Sequence, residues 1–272
     1  VANRIDQKFN ELSAQGSKGL FPFLVAGQPD LKTTQQLIKR LEKLGVAGIE
    51  LGFPFTDPIA DGPVIQNAFT QALVSGISVA AIMQAIGEIR SQVSIPIIAM
   101  VSATIVFRIG VDNFLSQAAR AGFDGFIIPD LSLEEAPTIA EKVKKLDLRL
   151  VLLVSPTSPA ERQEHIAKMA TGFIYYMSIA GITGERDKLP EELPANVVHL
   201  KKLSGIPVLV GFGIKSPEHV RQVCQVADGA IVGSAIVRRI AQSLEQGANS
   251  DQTLLSVEDY VHELMTGLPK KV

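Results

Sequence analysis

Glu50 lies inside an otherwise apolar stretch that runs from Gly48 to Pro54. A carboxyl group facing inward from such a strand is partly desolvated. Burial then raises its pKa toward neutrality, where it can give up and take back a proton. A structural ion pair in the interior is the other reading of that position. Asp57 and Asp61 follow in the segment from Thr56 to Pro63, each beside a proline or glycine that fixes the local backbone. Asp57 serves as well for turn-making as for acid-base work.

Two glycine signals near the end of the chain suit an anion. Gly211 and Gly213 flank Phe212, and Gly233 precedes Ser234 at the start of a helical pattern. Glycine lets backbone N–H groups approach a phosphate closely, and a helix beginning at Ser234 adds its positive end. The same glycines could simply make tight turns between strand and helix. Other chemistry has little support. His165, His199, His219 and His262 all fall in predicted helices and are expected on the side away from the candidate site. No HxH, HExxH or CxxC spacing points to a metal, and no GxSxG elbow points to an acyl-enzyme. Cys224, the single cysteine, rules out an intramolecular disulfide and a cysteine zinc cluster, and its helical run reads as packing.

These residues need a scaffold, and the chain repeats one. Apolar strand-like runs occur at 20–27, 48–54, 95–102, 125–130, 149–155, 172–178, 206–213 and 229–234. Buried parallel strands lose polar alternation in this way, and amphipathic stretches separate them. In the stretch 31–44, Leu37, Ile38, Leu41 and Leu44 share a face opposite Lys39, Arg40 and Lys43, and Gly45 ends the helix. The pattern returns at 111–122, 133–146 and 159–169, the last after a Ser158 cap. Eight near-even units predict a single (β/α)8 TIM barrel spanning 1–272, with an open doubly wound sheet as the alternative. Residues 56–94 hold two helical patterns, hence an extra helix after strand 2. Residues 179–196 read as a long mobile loop after strand 6. Both follow strand carboxyl ends, where β/α barrels place substrate loops.

Composition agrees with a globular protein. In 272 residues, 46% are hydrophobic and 20% charged, with a net charge of -2, which gives no electrostatic reason to expect nucleic acid. No apolar run approaches the roughly 18 residues of a membrane span, and residues 1–18 do not read as a targeting segment. A cytoplasmic location is expected.

The segment around Glu50 also carries a resemblance. The residues from Ile49 to Pro58, then Ala60-Asp61-Gly62-Pro63-Val64-Ile65-Gln66, are similar to the signature of tryptophan synthase alpha subunits. Further matches run through Phe126 to Leu131, Gly181 to Gly184, Gly211 to Gly213, and Val232 to Val237. The resemblance implies retro-aldol cleavage of indole-3-glycerol phosphate to indole and glyceraldehyde 3-phosphate. It implies no cofactor in this chain, and a pyridoxal-phosphate beta subunit as partner in an alpha2beta2 assembly. By the same resemblance Asp61 stabilises charge at the indole N–H and Tyr175 is an active-site residue. Thr183 and Gly184 belong to a loop that closes over substrate, Gly184 joining Gly211, Gly213, Gly233 and Ser234 around the phosphate. Segments 56–63 and 179–196 are then expected to be mobile until substrate and partner order them.

The chain departs from the commoner family pattern at two places. Ser102-Ala103-Thr104 stands where a tyrosine and an asparagine are frequent, and Ile179-Ala180 lacks a frequent arginine. The first bears on the indole pocket and the partner contact, the second on loop closure. Three rivals remain: a stand-alone indole-glycerol phosphate lyase, an isomerase-type phosphate-binding barrel, and a silent subunit that activates its partner.

Overall fold

The structure, a computed structural model, describes residues 3–58, 61–177, 190–211 and 213–269. The eight apolar runs form β1 (Gly19–Val25), β2 (Ile49–Gly52), β3 (Ile97–Met100), β4 (Gly125–Ile127), β5 (Arg149–Val154), β6 (Ile174–Met177), β7 (Val208–Gly211) and β8 (Gly229–Val232). Each strand pairs in parallel with the next, and β8 pairs with β1, so the sheet closes into a barrel. Closure excludes the open doubly wound alternative. β2, β3 and β4 are shorter than their apolar runs, because Phe53, Val101 and Ile128 continue beyond the ladder as buried residues at the barrel mouth.

The helices are α1 (Arg4–Ala14), α2 (Leu31–Leu44), α3 (Pro63–Val74), α4 (Val79–Ile89), α5 (Ala103–Ile109), α6 (Val111–Ala121), α7 (Ala136–Lys145), α8 (Ala160–Met169), α9 (Leu193–Ser204), α10 (Pro217–Cys224), α11 (Ser234–Glu245) and α12 (Ser250–Met265). The expected extra helix after strand 2 is present as the pair α3 and α4. The first is preset by Pro63 at its first turn, and the second is capped by the Ser78 hydroxyl. Two expectations need correction. Ser158 does not cap α8: its hydroxyl accepts from the Ser155 N–H, and Pro159 occupies the cap position. The interval 179–196 is not all loop, since α9 begins at Leu193; residues 179–189 lie outside the described residues.

Alternation along the strands decides what faces the axis. In β2, Ile49 and Leu51 pack outward under the helices, which turns Glu50 inward. In β6, Ile174 and Tyr176 pack outward and Tyr175 inward. The interior below the site is filled by Phe21, Ile98, Ile127, Val151, Phe173, Leu209 and Ile231, and α1 plugs the bottom with Ile5 and Phe9. Cys224 is buried and free, consistent with packing.

Candidate active site

At the carboxyl ends of the strands a cavity of about 460 Å³ brings together Glu50, Asp61, Tyr175, Gly213, Gly233 and Ser234, with Phe23, Met100, Leu153 and Met177 supplying apolar wall. Glu50 stands beside Phe23 of β1 and Ile98 of β3 in the ladder. It is 1% exposed, and neither carboxyl oxygen has a hydrogen-bond partner among the described residues. Burial, with the nearby charge of Asp61 as the smaller cause, pushes its pKa up from 4.5 to about 8. The structural ion-pair reading of Glu50 therefore fails, for no cation is paired with it among the described residues.

Asp61 precedes α3 by two residues. Its backbone N–H donates to the Pro58 carbonyl at 3.0 Å, and its carbonyl accepts from Gln66 Nε2 at 2.7 Å, so the first turn of α3 anchors the end of the loop. Burial raises the Asp61 pKa from 3.8 to about 6. At neutral pH the two carboxyls are thus in different states, Glu50 mostly protonated and Asp61 mostly ionised. Separated pKa values of this kind split acid from base or charge carrier. Asp57 is exposed and is absent from the wall of this cavity; it borders a neighbouring one.

Tyr175 is buried, and burial, then Glu50 and Asp61, raises its phenol well above its ordinary value. It stays neutral throughout the working range, as a donor and a wall. Its ring explains Gly211, which does not line the cavity: any side chain there would run into the Tyr175 hydroxyl. Making room for Tyr175 is thus a reason for glycine at 211 that stands apart from the expected phosphate contact. Gly213 and Gly233 do line the cavity. Gly213 has φ +76°, which favours glycine, and Gly233 caps α11 with no side chain to satisfy the first-turn N–H groups. That leaves the positive end of α11 open to an anion beside Ser234.

His219 overturns the expectation that the histidines lie away from the site. It is buried near the start of α10, on the mouth side, where Nδ1 lies 3.2 Å from the Gly213 carbonyl oxygen and braces that turn. Thr183, Gly184, Ile179 and Ala180 lie outside the described residues. Ser102 and Thr104 border a second, more apolar cavity of about 840 Å³ that shares Asp61, Met100 and Pro129 with the first. There the Ser102 hydroxyl donates to Asp130 at 2.7 Å and caps α5. Sequence reasoning missed one whole wall, contributed by the turn after β5: Ser155, Thr157, Ser158 and Arg162. Its only local signal was the polar Ser-Pro-Thr-Ser-Pro punctuation that follows β5.

Residues 9–266 match the sequence profile described as tryptophan synthase alpha chain. A tryptophan synthase alpha chain of Prochlorococcus marinus (strain MIT 9313) is 46% identical over 238 residues, covering 87% of this chain and 86% of the relative. The chain belongs to the tryptophan synthase alpha chain family. One from Caldanaerobacter subterraneus subsp. tengcongensis is 40% identical and covers 96% of this chain and 98% of its own. A crystal structure of tryptophan synthase subunit alpha from Legionella pneumophila str. Paris superposes with a TM-score of 0.90 at 36% identity, covering 98% of both chains. A chain of Mycobacterium tuberculosis tryptophan synthase matches with a TM-score of 0.87 at 32% identity, covering 98% of both. With this family comes the alpha reaction of tryptophan biosynthesis, in which indole-3-glycerol phosphate is cleaved to indole and glyceraldehyde 3-phosphate. Members of the tryptophan synthase alpha chain family carry no cofactor of their own; pyridoxal phosphate resides in the beta subunit, their partner.

Proposed function

We propose that Glu50, Asp61 and Tyr175 carry the alpha reaction in this chain, and that Gly213, Gly233 and Ser234 hold the substrate phosphate. The observation that supports this most is Glu50: a buried carboxyl group with no partner among the described residues, protonated at neutral pH, in a cavity it shares with an ionised Asp61. Glu50 gives its proton to indole C3. The ring becomes an electron acceptor with positive charge centred on N1, and the Asp61 carboxylate stabilises that charge as it accepts from the N–H. The bond between C3 and the side-chain carbon then breaks, its electron pair returns to the ring, and the adjacent hydroxyl becomes the aldehyde. Glu50 takes back the hydroxyl proton, so the enzyme ends as it began. Tyr175 shapes the wall against the ring.

The apolar wall of Phe23, Met100 and Leu153 suits an indole, and the open start of α11 suits its phosphate. The whole chain, 1–272, acts as one barrel domain in the cytoplasm and assembles with beta subunits as alpha2beta2. Thr183 and Gly184 belong to the covering loop in this reading. Indole release by the purified chain, with and without a beta subunit, tests the assignment. Indole from the chain alone, increased by the partner, is expected; no indole in either sample overturns it.

A further inference from the structure

The cavity wall after β5 carries a charge that the mechanism above does not use. Among the described residues that line the substrate cavity, Arg162 is the one cation; the carboxyl groups there are the protonated Glu50 and the ionised Asp61. Arg162 is exposed, and no hydrogen bond or ion pair ties its guanidinium to another described residue. Its place in the fold gives it no stabilising task. It occupies the first turn of α8, where a positive charge opposes the helix dipole, and the Pro159 cap gives that turn no side-chain acceptor.

The wall beside it is polar and ordered. Ser155 Oγ and Thr157 Oγ1 are 2.7 Å apart, and the Thr157 N–H donates to Ser155 Oγ at 3.1 Å. Ser158 Oγ accepts from the Ser155 N–H at 3.2 Å, while Gln163 Nε2 donates to the Ser158 carbonyl at 2.8 Å. The turn that leads into the first turn of α8 is therefore held in shape before any ligand arrives.

A phosphate monoester is close to a dianion at neutral pH, and the cavity that receives it already holds the ionised Asp61. Backbone N–H groups at Gly213 and Gly233 bring partial charges only. We infer that Arg162 is a substrate-binding residue that draws in and holds the phosphate end of indole-3-glycerol phosphate from the wall after β5. This inference rests on the reading of the cavity given above. A guanidinium matches phosphate oxygens with paired N–H donors. Substrate and transition state both carry the phosphate, far from the bond that breaks. Arg162 therefore acts on KM and leaves kcat alone.

The test uses the full chain and two variants, Arg162→Gln and Arg162→Lys. Both should fold as the parent does, because the side chain is exposed and unpaired. Glycerol 3-phosphate is titrated by calorimetry, and indole formation from indole-3-glycerol phosphate gives KM and kcat. A charge-assisted hydrogen bond is worth enough that Arg162→Gln should weaken glycerol 3-phosphate and raise KM by roughly tenfold or more, with kcat changed less than about twofold. Arg162→Lys should recover part of the loss. Added salt should raise the parent's KM more steeply than that of Arg162→Gln. Glycerol 3-phosphate affinity in Arg162→Gln within twofold of the parent, or a fall in kcat at constant KM, overturns the inference. Failure of the parent to form indole overturns the reading beneath it instead, and the glycerol 3-phosphate titration still decides whether Arg162 binds phosphate.

Discussion

The barrel has a buried carboxyl group at each end, and the two are treated in opposite ways. At the bottom, Asp124 accepts from Arg4 at 2.9 Å, from Arg90 at 3.4 Å and from the Ile97 N–H at 2.8 Å. Burial is still the largest influence on its pKa and raises it, but these partners pull it back. At the mouth, Glu50 is as buried and has no partner among the described residues. The cost of burying a carboxyl group is met at the bottom by pairing and at the mouth by keeping the proton. A paired carboxylate holds a fold together, whereas an unpaired one that titrates near neutrality can exchange protons with a substrate.

Replacing each carboxyl group by its amide is the sharpest way to break that comparison. Glu50→Gln, nearly isosteric, should lower indole formation by about 100-fold or more, and Asp61→Asn should do the same by leaving the charged ring unopposed. Either variant retaining turnover within about tenfold of the parent would remove that residue from the mechanism. Stability should move the other way at Glu50. Its folded pKa of about 8 lies above the unfolded value of 4.5, so its contribution is full below pH 4.5 and lost as pH rises through about 8. The Tm of Glu50→Gln should therefore match the parent in acid and exceed it increasingly toward pH 8.

Asp124→Asn makes the converse change. Arg4 and Arg90 lose their shared carboxylate, and Arg90 has little access to water, its side chain being 10% exposed. Breaking a buried pair on one side costs on the order of 3 kcal/mol. A clear drop in Tm is expected, with kcat and KM of the folded enzyme unchanged. Lost activity at a temperature where the variant is still folded would show that the two ends are not separate.

The two ends also differ in how far the chain itself announced them. Glu50 was legible because a charge in the middle of an apolar strand breaks a local pattern, and strand alternation says which way it points. Asp124 was not, since its partners lie 120 and 34 residues away in the chain and meet it only after the barrel closes. Arg162 escaped notice for a similar reason. A charged residue in the first turn of a helix looks like solvated surface until β5 and β8 are placed round one cavity. The fold was the more legible part, as eight apolar runs and their intervening helices need only local periodicity. Gly211 shows the limit of motif reading: a glycine beside a phosphate loop also makes room for a tyrosine on the preceding strand.

pH separates the two mouth carboxyls from each other with a smaller change in rate. Asp61 must be ionised, so kcat/KM should rise as pH passes about 6; Glu50 must carry its proton, so it should fall above about 8. Because the two groups interact, the limbs belong to the pair. In Asp61→Asn the residual activity should keep the alkaline limb and lose the acid one. A profile for the parent that is flat from pH 5 to 9 would contradict the split.

The smallest expected effect concerns glycines at the two ends. At the bottom, a Cβ on Gly125 would sit 2.7 Å from the Arg149 carbonyl oxygen, so this glycine is demanded by the fold. At the mouth, a Cβ on Gly233 would meet Phe23 at 3.6 Å, an ordinary contact. Packing therefore gives no reason for glycine at 233, while close approach of an anion to the start of α11 does. Gly233→Ala should leave Tm and kcat near the parent values. Its KM should rise by roughly 2- to 12-fold, the worth of one backbone hydrogen bond of about 0.5–1.5 kcal/mol. Gly125→Ala should lower Tm and leave KM alone. Calorimetric titration with glycerol 3-phosphate decides the point without reference to turnover. If Gly233→Ala binds it as the parent does, residue 233 does not touch the phosphate, and the anion site at the start of α11 must be given up.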